Sequence, residues 1–266
     1  MMKIQKLCKL FGTLFAALFI TTACTEDETV DYPTFNGMYV TIQGDEFSGY
    51  KFYTDNDAVL IPTNISKYEH LKGVDRAQIS FNMVNGITDV TQIKSGNKYE
   101  IILMPSGVNM EIPTYHLNVD VTSDDYLVNG NDSINTNNRM IHSFAKQQGA
   151  FYVQNGYLNI IPTFAYSPTA PVYFGLYYDG TKDIDLANRK LTLHLYFNNH
   201  TTQPYGTTTS VISFRMSEDI YNKFLYEGYD NNSQITVSLE GQSLDLNENR
   251  LEYVTTLGDF LLPSEF

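Results

Sequence analysis

Short runs of alternating apolar and polar residues recur along this chain from Asn36 onward, and they constrain its fold more than any other feature. Met38, Val40 and Ile42 alternate with more polar neighbours, and Leu191 begins a longer run with the same period. Successive side chains of a β-strand point to opposite faces of a sheet, so a period of two indicates half-buried strands. Gly, Asn, Asp and Pro separate the runs, as expected of turns. The sequence therefore predicts an all-β protein.

The first half of the chain contains five such runs. They cover residues 38–42, 49–53, 58–61, 79–83 and 99–104. Five strands with a gap between the third and the fourth are typical of a small barrel of the OB type. We therefore expect residues 37–121 to form an OB-type five-stranded barrel.

The second half repeats the β pattern in about seven strands, the number expected of a β-sandwich. Its clearest hairpin signal is Asn155-Gly156, because these residues accept the positive φ that a type I′ turn requires. A polar stretch rich in Asn, Asp, Ser and Gly precedes these strands and is typical of a linker. We therefore expect residues 122–266 to form a β-sandwich domain with this linker at its beginning. One helix is expected after Ser217, whose hydroxyl can cap it.

The N-terminus has the features of a secretory signal. A short basic segment precedes an apolar run, residues 10–20, which is about half as long as a membrane span. The run ends in Thr-Thr-Ala-Cys24, which resembles a bacterial lipobox. This resemblance implies that residues 1–23 are removed as a signal peptide and that acyl chains such as palmitate anchor Cys24 in the membrane. Thr21 stands where lipoboxes usually carry leucine, and the alternative is an ordinary cleaved signal with Cys24 unmodified.

Removal of the signal peptide would change both the cysteine content and the charge. Cys8 would be lost, which leaves Cys24 as the only cysteine and allows no internal disulfide. The formal charge, −13 for the whole chain, would become more negative because three lysines leave with the signal. A protein that binds nucleic acid needs a basic surface, so this class of partner is excluded.

An acidic cluster follows the lipobox: Thr25, Glu26, Asp27 and Glu28. The cluster resembles the export signal with which some Gram-negative bacteria move lipoproteins to the outer face of the outer membrane. A plain solvated tether over residues 24–36 would have the same composition. We expect a lipid-anchored outer-membrane protein that is exposed at the cell surface.

The order of these parts resembles the NigD-like lipoproteins. A lipobox and acidic tether lead to a small β-barrel and then to a sandwich with a hairpin at residues 154–160, a long strand at 191–197 and another at 211–214. The resemblance extends from about Gly37 to Leu239 and implies an N-terminal OB-type domain followed by a β-sandwich. The family takes its name from a gene in a bacteriocin operon, for which an immunity role was suggested. It offers no functional residue that could be assigned to this chain.

The sequence contains no motif of a catalytic or metal site. There is no Gly-x-Ser-x-Gly and no His-Glu-x-x-His, and the histidines lack zinc-site spacing. Asp179, Asp183 and Asp185 could converge on a calcium ion, but they are more typical of turns. The carboxylate pair of a hydrolase would meet only in space, and nothing in the sequence nominates one. We expect a protein that is not an enzyme and has no metal and no cofactor.

A tyrosine-rich strand is the strongest candidate for a ligand-binding surface. Within residues 172–178, alternation places Tyr173 and Tyr177 on one face with a glycine between them. His194 and Tyr196 would point to the same side from a neighbouring strand. Tyrosine rings beside a flat gap can hold sugar rings, so these four residues form a candidate ligand face. The alternative is that they pair across strands and simply cover the sheet.

One modification site is also a candidate. Asp132-Ser133-Ile134 resembles the site of periplasmic O-glycosylation in bacteria that use this export signal. A match of three residues arises equally well by chance, so Ser133 is a candidate only.

These observations predict a non-catalytic binding or immunity-type role toward a protein or an envelope partner. The alternative is a glycan-binding accessory lipoprotein of a polysaccharide uptake system.

Overall fold

The computed structural model describes residues 33–64, 71–84, 86–115, 118–122, 138–145, 150–201, 203–244 and 249–263. Strands dominate its regular structure, which confirms the all-β class. Thr34–Phe266 form one compact unit. The signal peptide, Cys24 with the acidic cluster, and Ser133 lie outside the described residues. No helix in the described part of the chain is long and apolar enough to cross a membrane.

The first five strands close into a barrel. They are β1 (Thr34–Asp45), β2 (Gly49–Thr54), β3 (Val59–Pro62), β4 (Arg76–Met83) and β5 (Lys98–Glu111). The order around the barrel is β1-β2-β3-β5-β4, and every pair is antiparallel except β3 with β5. The predicted five-stranded barrel is therefore confirmed.

Apolar side chains that alternate along the strands fill the barrel. Val40, Phe52, Leu60 and Phe81 come from four different strands, and all are fully buried. Phe35 stacks on Phe81 with 5.4 Å between the ring centroids. Since closure pairs every strand on both sides, the barrel holds together by packing and backbone hydrogen bonds.

The last barrel strand runs further than the sequence indicated. β5 continues through Pro105 and Gly107, because its pairing with β4 contains register shifts that accommodate the irregular stretch. Two short strands follow, β6 (Thr114–Tyr115) and β7 (Asn118–Asp120), and both pair with strands of the second half. The chain therefore enters the sheets of the second half at Thr114, before the predicted domain boundary at residue 121.

The second half contains three sheets. The six-stranded sheet consists of β7, β12 (Tyr173–Tyr178), β13 (Ile184–Asp185), β14 (Lys190–Asn198), β17 (Gln234–Glu240) and β18 (Arg250–Thr256). A four-stranded sheet consists of β6, β9 (Phe151–Gln154), β10 (Tyr157–Ile160) and β16 (Ile212–Arg215). A three-stranded sheet consists of β8 (Ser143–Phe144), β11 (Pro162–Tyr166) and β15 (Gly206–Thr209). The larger sheet has the order β18-β17-β14-β12-β7, and β13 pairs with β14.

One apolar core is shared by these three sheets, as in a β-sandwich. Phe164 of the three-stranded sheet packs edge to face against Phe174 and Phe197 of the six-stranded sheet, with centroid distances of 5.0 and 5.6 Å. Leu158 and Phe214 of the four-stranded sheet are fully buried in the same cluster. The predicted barrel followed by a sandwich therefore describes the fold.

The one predicted helix is present as α1 (Glu218–Tyr226). The hydroxyl of Ser217 accepts a hydrogen bond from the backbone N–H of Asp219 at 3.2 Å, which satisfies one of the free donors at the helix start. Ile220 and Phe224 are buried in the sandwich core, so α1 is held by its apolar face.

The hairpin β9–β10 connects the sandwich to the barrel. Its turn has positive φ at Asn155 (54°) and Gly156 (79°), as the Asn-Gly pair predicts. The side-chain amide of Asn155 donates to the carbonyl of Thr54 at 2.9 Å, and that of Gln154 donates to Asp57 Oδ1 at 2.7 Å. The turn therefore rests on the β2–β3 turn of the barrel.

A fully buried arginine lies at the same junction. Arg76 of β4 donates from both terminal nitrogens to the carboxylate of Asp55, at 3.0 Å each, and also to the hydroxyl of Thr41 at 2.8 Å. Its guanidinium lies 5.4 Å from the ring centroid of Tyr157. The hydroxyl of Tyr152 donates at 2.6 Å to Asp55 Oδ2, which also accepts from Arg76 Nη2. This network fixes how the barrel meets the sheets of the second half.

Candidate functional site

A row of four side chains crosses four strands on the outer face of the six-stranded sheet. Tyr177 of β12 lies opposite His194 of β14, which lies opposite Glu240 of β17, and Glu240 lies opposite Arg250 of β18. Leu193, one position before His194, is fully buried on the inner face. The period of two therefore turns these four residues, which we call the cross-strand row, to the outer face; Tyr177, His194 and Glu240 are partly buried there and Arg250 is exposed.

His194 stands at the centre of the cross-strand row. Its Nε2 lies 3.0 Å from Asp183 Oδ2, and its Nδ1 lies 3.6 Å from Glu240 Oε2. The imidazole stacks on the ring of Tyr177, with 5.1 Å between centroids and 25° between the planes. Two carboxylates and one aromatic ring therefore fix the orientation of this histidine.

Arg250 ends the row at the edge strand β18. Its Nη1 donates to Glu240 Oε1 at 3.1 Å, and its Nε donates to Glu252 Oε1 at 3.1 Å. Its Nη2 donates to the hydroxyl of Ser238 at 3.2 Å. The arginine side chain is half exposed, so the guanidinium is held in place while it still faces solvent.

A cleft of about 430 Å³ opens over the cross-strand row. Met140, Gln242 and Asn249 complete its walls from neighbouring loops. Three carboxylates contact the basic groups here: Asp183 and Glu240 lie beside His194, and Glu240 and Glu252 lie beside Arg250. Within the lining itself, Glu240 and Arg250 carry opposite charges.

The structure places all four residues of the predicted ligand face on this side of the sheet. Tyr177 and His194 line the cleft, whereas Tyr173 and Tyr196 lie outside its lining. Tyr196 lies opposite Gly175, the glycine between the two tyrosines, and Gly175 is buried. The gap suggested by the sequence is therefore not open to solvent. Whether the face binds a ligand stays a prediction.

Tyr173 lies at the opposite end of β12 from the cleft. It is 50% exposed, and its ring packs edge to face against His200 at 5.1 Å. Tyr196 is partly buried, and its hydroxyl accepts a hydrogen bond from the side-chain amide of Asn198 at 3.2 Å. The four predicted residues therefore divide between the cleft and the far end of the strand.

Sequence reasoning missed Glu240 and Arg250, which form half of the cross-strand row. The alternation of Ile235, Val237 and Leu239 already places Glu240 on the outer face. The pairing of β14 with β17 brings Glu240 beside His194, and this parallel pairing joins segments that are distant in sequence. No local pattern reports such a pairing, so the row could not be assembled from the sequence.

The aspartates considered as calcium ligands have other partners in the structure. Asp179 accepts hydrogen bonds from Lys182 and from the backbone and hydroxyl of Thr181, and these interactions hold its pKa below the usual range. Asp183 accepts from the N–H of Asp179 and contacts His194. Asp185 caps a turn through Asn188. Within the described ranges, no group of three His, Cys, Asp or Glu residues is placed to hold a metal ion.

Several solved structures share this fold. A protein from Parabacteroides distasonis, provisionally named as toxin-related, has a TM-score of 0.55 at 14% identity, over 84% of this chain and 92% of its own. A protein from Bacteroides fragilis, provisionally named a lipoprotein, has a TM-score of 0.53 at 16% identity, over 84% and 96%. A NigD-like immunity protein from Bacteroides caccae has a TM-score of 0.50 at 12% identity, over 85% and 99%.

At these identities the likeness establishes the fold and nothing finer. It confirms the NigD-like architecture that the sequence suggested, a small barrel followed by a sandwich, over most of the chain. No family model and no curated protein matches the sequence.

Proposed function

We propose that this chain is a lipid-anchored, non-catalytic binding protein of the bacterial envelope, with an immunity-type role toward a protein or an envelope partner. Cys24 carries the acyl chains, and the acidic cluster at residues 25–28 directs the protein to the outer face of the outer membrane. The fold shared with structures named as an immunity protein and as a lipoprotein supports this role.

The cross-strand row is the observation that carries the proposal. Its polar groups already hold one another: His194 lies between two carboxylates, and Arg250 donates to Glu240. Polar groups that are fixed before binding lose little conformational entropy when a partner arrives, which favours recognition. The cleft above the row gives a partner access to them.

The arrangement also favours binding over catalysis. Ser243 lines the same cleft as His194, but it is fully buried and its hydroxyl donates to the carbonyl of His142 at 3.1 Å. Both ring nitrogens of His194 face carboxylates, so neither is directed at a hydroxyl nucleophile. The groups of the cleft therefore form a charged surface without the geometry of a nucleophile and its base.

Charge indicates the kind of partner. The chain carries a formal charge of −13, and the carboxylates of Asp183, Glu240 and Glu252 lie at or beside the cleft. Complementary potentials speed association and reject partners of like charge. The proposed partner is therefore a basic protein or a basic envelope component.

Site-specific crosslinking in living cells tests the binding role. A photoreactive amino acid at Met140, which lines the cleft and is 45% exposed, should give a discrete adduct, and the same group at Tyr226 on α1 should not. Glu240→Gln combined with Arg250→Ala should abolish the adduct. Its yield should also fall as NaCl is raised from about 0.05 to about 0.5 M, because salt screens exposed charges. An equal adduct from both positions, or none from Met140, would contradict the proposal.

The anchor is tested separately. Cells grown with an alkyne analogue of palmitate should label the wild-type protein and leave Cys24→Ala unlabelled. Added protease should then digest the wild-type protein on intact cells. Labelling of the Cys24→Ala variant would refute lipidation at this residue, and protection of the protein in intact cells would refute surface exposure.

A glycan-binding accessory role is the second candidate. The half-exposed ring of Tyr173 favours it, because an exposed aromatic ring provides an apolar face with a polar edge. This role would use the end of β12 that lies away from the cleft.

A further inference from the structure

A group of aromatic residues surrounds one end of the sandwich, away from the cleft. Tyr166 ends β11, Tyr173 begins β12, His200 follows β14, and Tyr205 precedes β15. We call these four residues the aromatic rim. Tyr205 is 78% exposed, Tyr173 is half exposed, and His200 is exposed as well. The proposed binding role does not explain this exposed aromatic surface.

The rings of the aromatic rim stand roughly perpendicular to one another. Tyr173 meets His200 with 5.1 Å between centroids and 78° between planes, and Tyr166 meets Tyr205 at 6.2 Å and 68°. Perpendicular rings do not cover each other as stacked rings do. Flat ring surface therefore stays available to a ligand at both pairs.

The loop that carries the rim is held in place by buried amides. Asn198 and Asn199 are each only 4% exposed. The side chain of Asn198 accepts from the N–H of His200 at 2.9 Å, and that of Asn199 donates to the carbonyl of Ala165 at 3.1 Å. His200 has a φ of +46°, a strained value for a residue with a side chain. The structure thus stabilises one loop conformation before any ligand binds, which lowers the entropic cost of binding.

The rim is built from segments that carry no charge. Residues 147–178 and 191–214 contain no Asp, Glu, Lys or Arg, although 18% of the residues in the whole chain are charged. The exposed side chains beside the rings are amides and hydroxyls, among them Gln203, Thr207 and Thr209. A charged ligand would find no counter-ion within these segments, whereas a neutral ligand rich in hydroxyl groups would find aromatic faces and hydrogen-bonding groups.

We propose that the aromatic rim is a binding site for neutral carbohydrate. Sugar rings pack their C–H faces on Tyr173 and Tyr205, and their hydroxyls bond to the neighbouring amides and hydroxyls. This inference deepens the glycan-binding candidate function and rests on it, but it places the site at the rim and not at the cleft. Tyrosine also occurs at the hot spots of protein interfaces, together with Trp and Arg, so a protein adduct formed from the rim is one outcome of the test.

The test uses the full-length chain purified in detergent. Its affinity is measured by calorimetry for soluble α-glucan, β-glucan, mannan and xylan, with polygalacturonate as the anionic counterpart. We expect at least one neutral polymer to bind, and polygalacturonate not to bind. Tyr173→Ala combined with Tyr205→Ala should weaken binding about tenfold or more, whereas the corresponding double Phe variant should keep most of it.

Tyr226→Ala is the matched control, since Tyr226 is 87% exposed but lies on α1. It should bind as the wild type does, and thermal unfolding should show that every variant is folded. Failure of all four neutral polymers to bind, equal binding by the double Ala variant, or a preference for polygalacturonate would overturn the proposal. A crosslinked partner at the cleft without carbohydrate binding would leave the proposed protein-binding role intact, so the two failures are distinguishable. A protein adduct formed from the rim instead would also count against carbohydrate.

Discussion

Tyr152 and Asp55 are joined by a 2.6 Å hydrogen bond across the junction between barrel and sandwich, although 97 positions separate them in the chain. The same carboxylate accepts both terminal nitrogens of Arg76. Burial and the adjacent Asp55 carboxylate raise the pKa of Tyr152, so this tyrosine donates as a neutral hydroxyl. At this junction, the carboxylate of Asp55 is therefore shared by the guanidinium of Arg76 and the phenol of Tyr152.

Replacing Arg76 should weaken the fold strongly. Arg76→Met leaves the partly buried carboxylate of Asp55 without its counter-ion, and loss of one partner of a buried ion pair costs about 3–5 kcal/mol. Lys182→Met is the control, because the side chain of Lys182 is 78% exposed and solvent screens such surface pairs, so its loss should be small. Urea unfolding of the full-length chain measures both values. Equal losses would show that the buried pair does not stabilise the junction.

The turn of the β9–β10 hairpin should not tolerate a side chain. A Cβ at Gly156 would lie 2.8 Å from the backbone nitrogen of Leu262, and φ is +79°, so Gly156→Ala combines a clash with backbone strain. Gly228→Ala is the matched control, with φ of +101° and no atom within 4 Å of the added Cβ. The control should lose about 1–2 kcal/mol from strain alone, and Gly156→Ala should lose clearly more. The free energy of unfolding is measured for both variants. A loss at Gly228→Ala larger than that at Gly156→Ala would contradict the close contact between Gly156 and Leu262.

Asp120 should make stability depend on acidic pH. Although partial burial raises the pKa of Asp120, hydrogen bonds from Thr122, Gly180 and Lys223 outweigh it and lower the pKa below its usual range. Its ionised form therefore stabilises the fold above the unfolded-state pKa of about 3.9, and this contribution disappears as the pH falls through the lower folded-state value.

Asp120→Asn tests this dependence. The variant should be less stable than the wild type at pH 7 by about 1–2 kcal/mol, because it loses charge-assisted hydrogen bonds. The difference should shrink as the pH falls below about 4. Unfolding at a series of pH values checks it, and a constant difference across the series would refute the role of the carboxylate charge.

The cap of α1 should contribute a modest, local amount. Ser217→Ala removes the acceptor for the N–H of Asp219 and should cost about 1 kcal/mol. Ser217→Asp restores an acceptor and should recover most of the loss. Denaturant unfolding with a helix-sensitive signal measures the stability of both variants. If Ser217→Ala and Ser217→Asp are equally stable, the capping role is contradicted.

The sequence predicted those features that local chemistry determines. The Asn155-Gly156 turn, the alternation along β14 and the start of α1 at Ser217 all follow from residues close together in the chain. Tyr177 and His194 were placed on one face because the period of two fixes which side chains point outward. These features required no knowledge of which strands pair.

Long-range pairing determined what the sequence could not predict. β14 pairs in parallel with β17, and this register alone brings Glu240 beside His194. Arg76 begins β4 and carries a charge, so nothing local distinguishes it from an exposed strand end, yet it is fully buried. Its partner Asp55 lies in a turn that looks solvated in the sequence. Such residues become recognisable only when the two halves of the protein are assembled.

The contact between Gly156 and Leu262 has a consequence for biogenesis. The carbonyl of Asp259 accepts from the N–H of Gly156 at 2.9 Å, so the hairpin that contacts the barrel also needs the segment at residues 259–262. Because a chain is synthesised from its N-terminus, the barrel residues precede this segment in time. The barrel can close early, but its orientation toward the sandwich becomes fixed only after residues 259–262 have joined the fold. A chain truncated before residue 257 should therefore form its barrel but not fix the second half against it, and should be an early target for proteolysis.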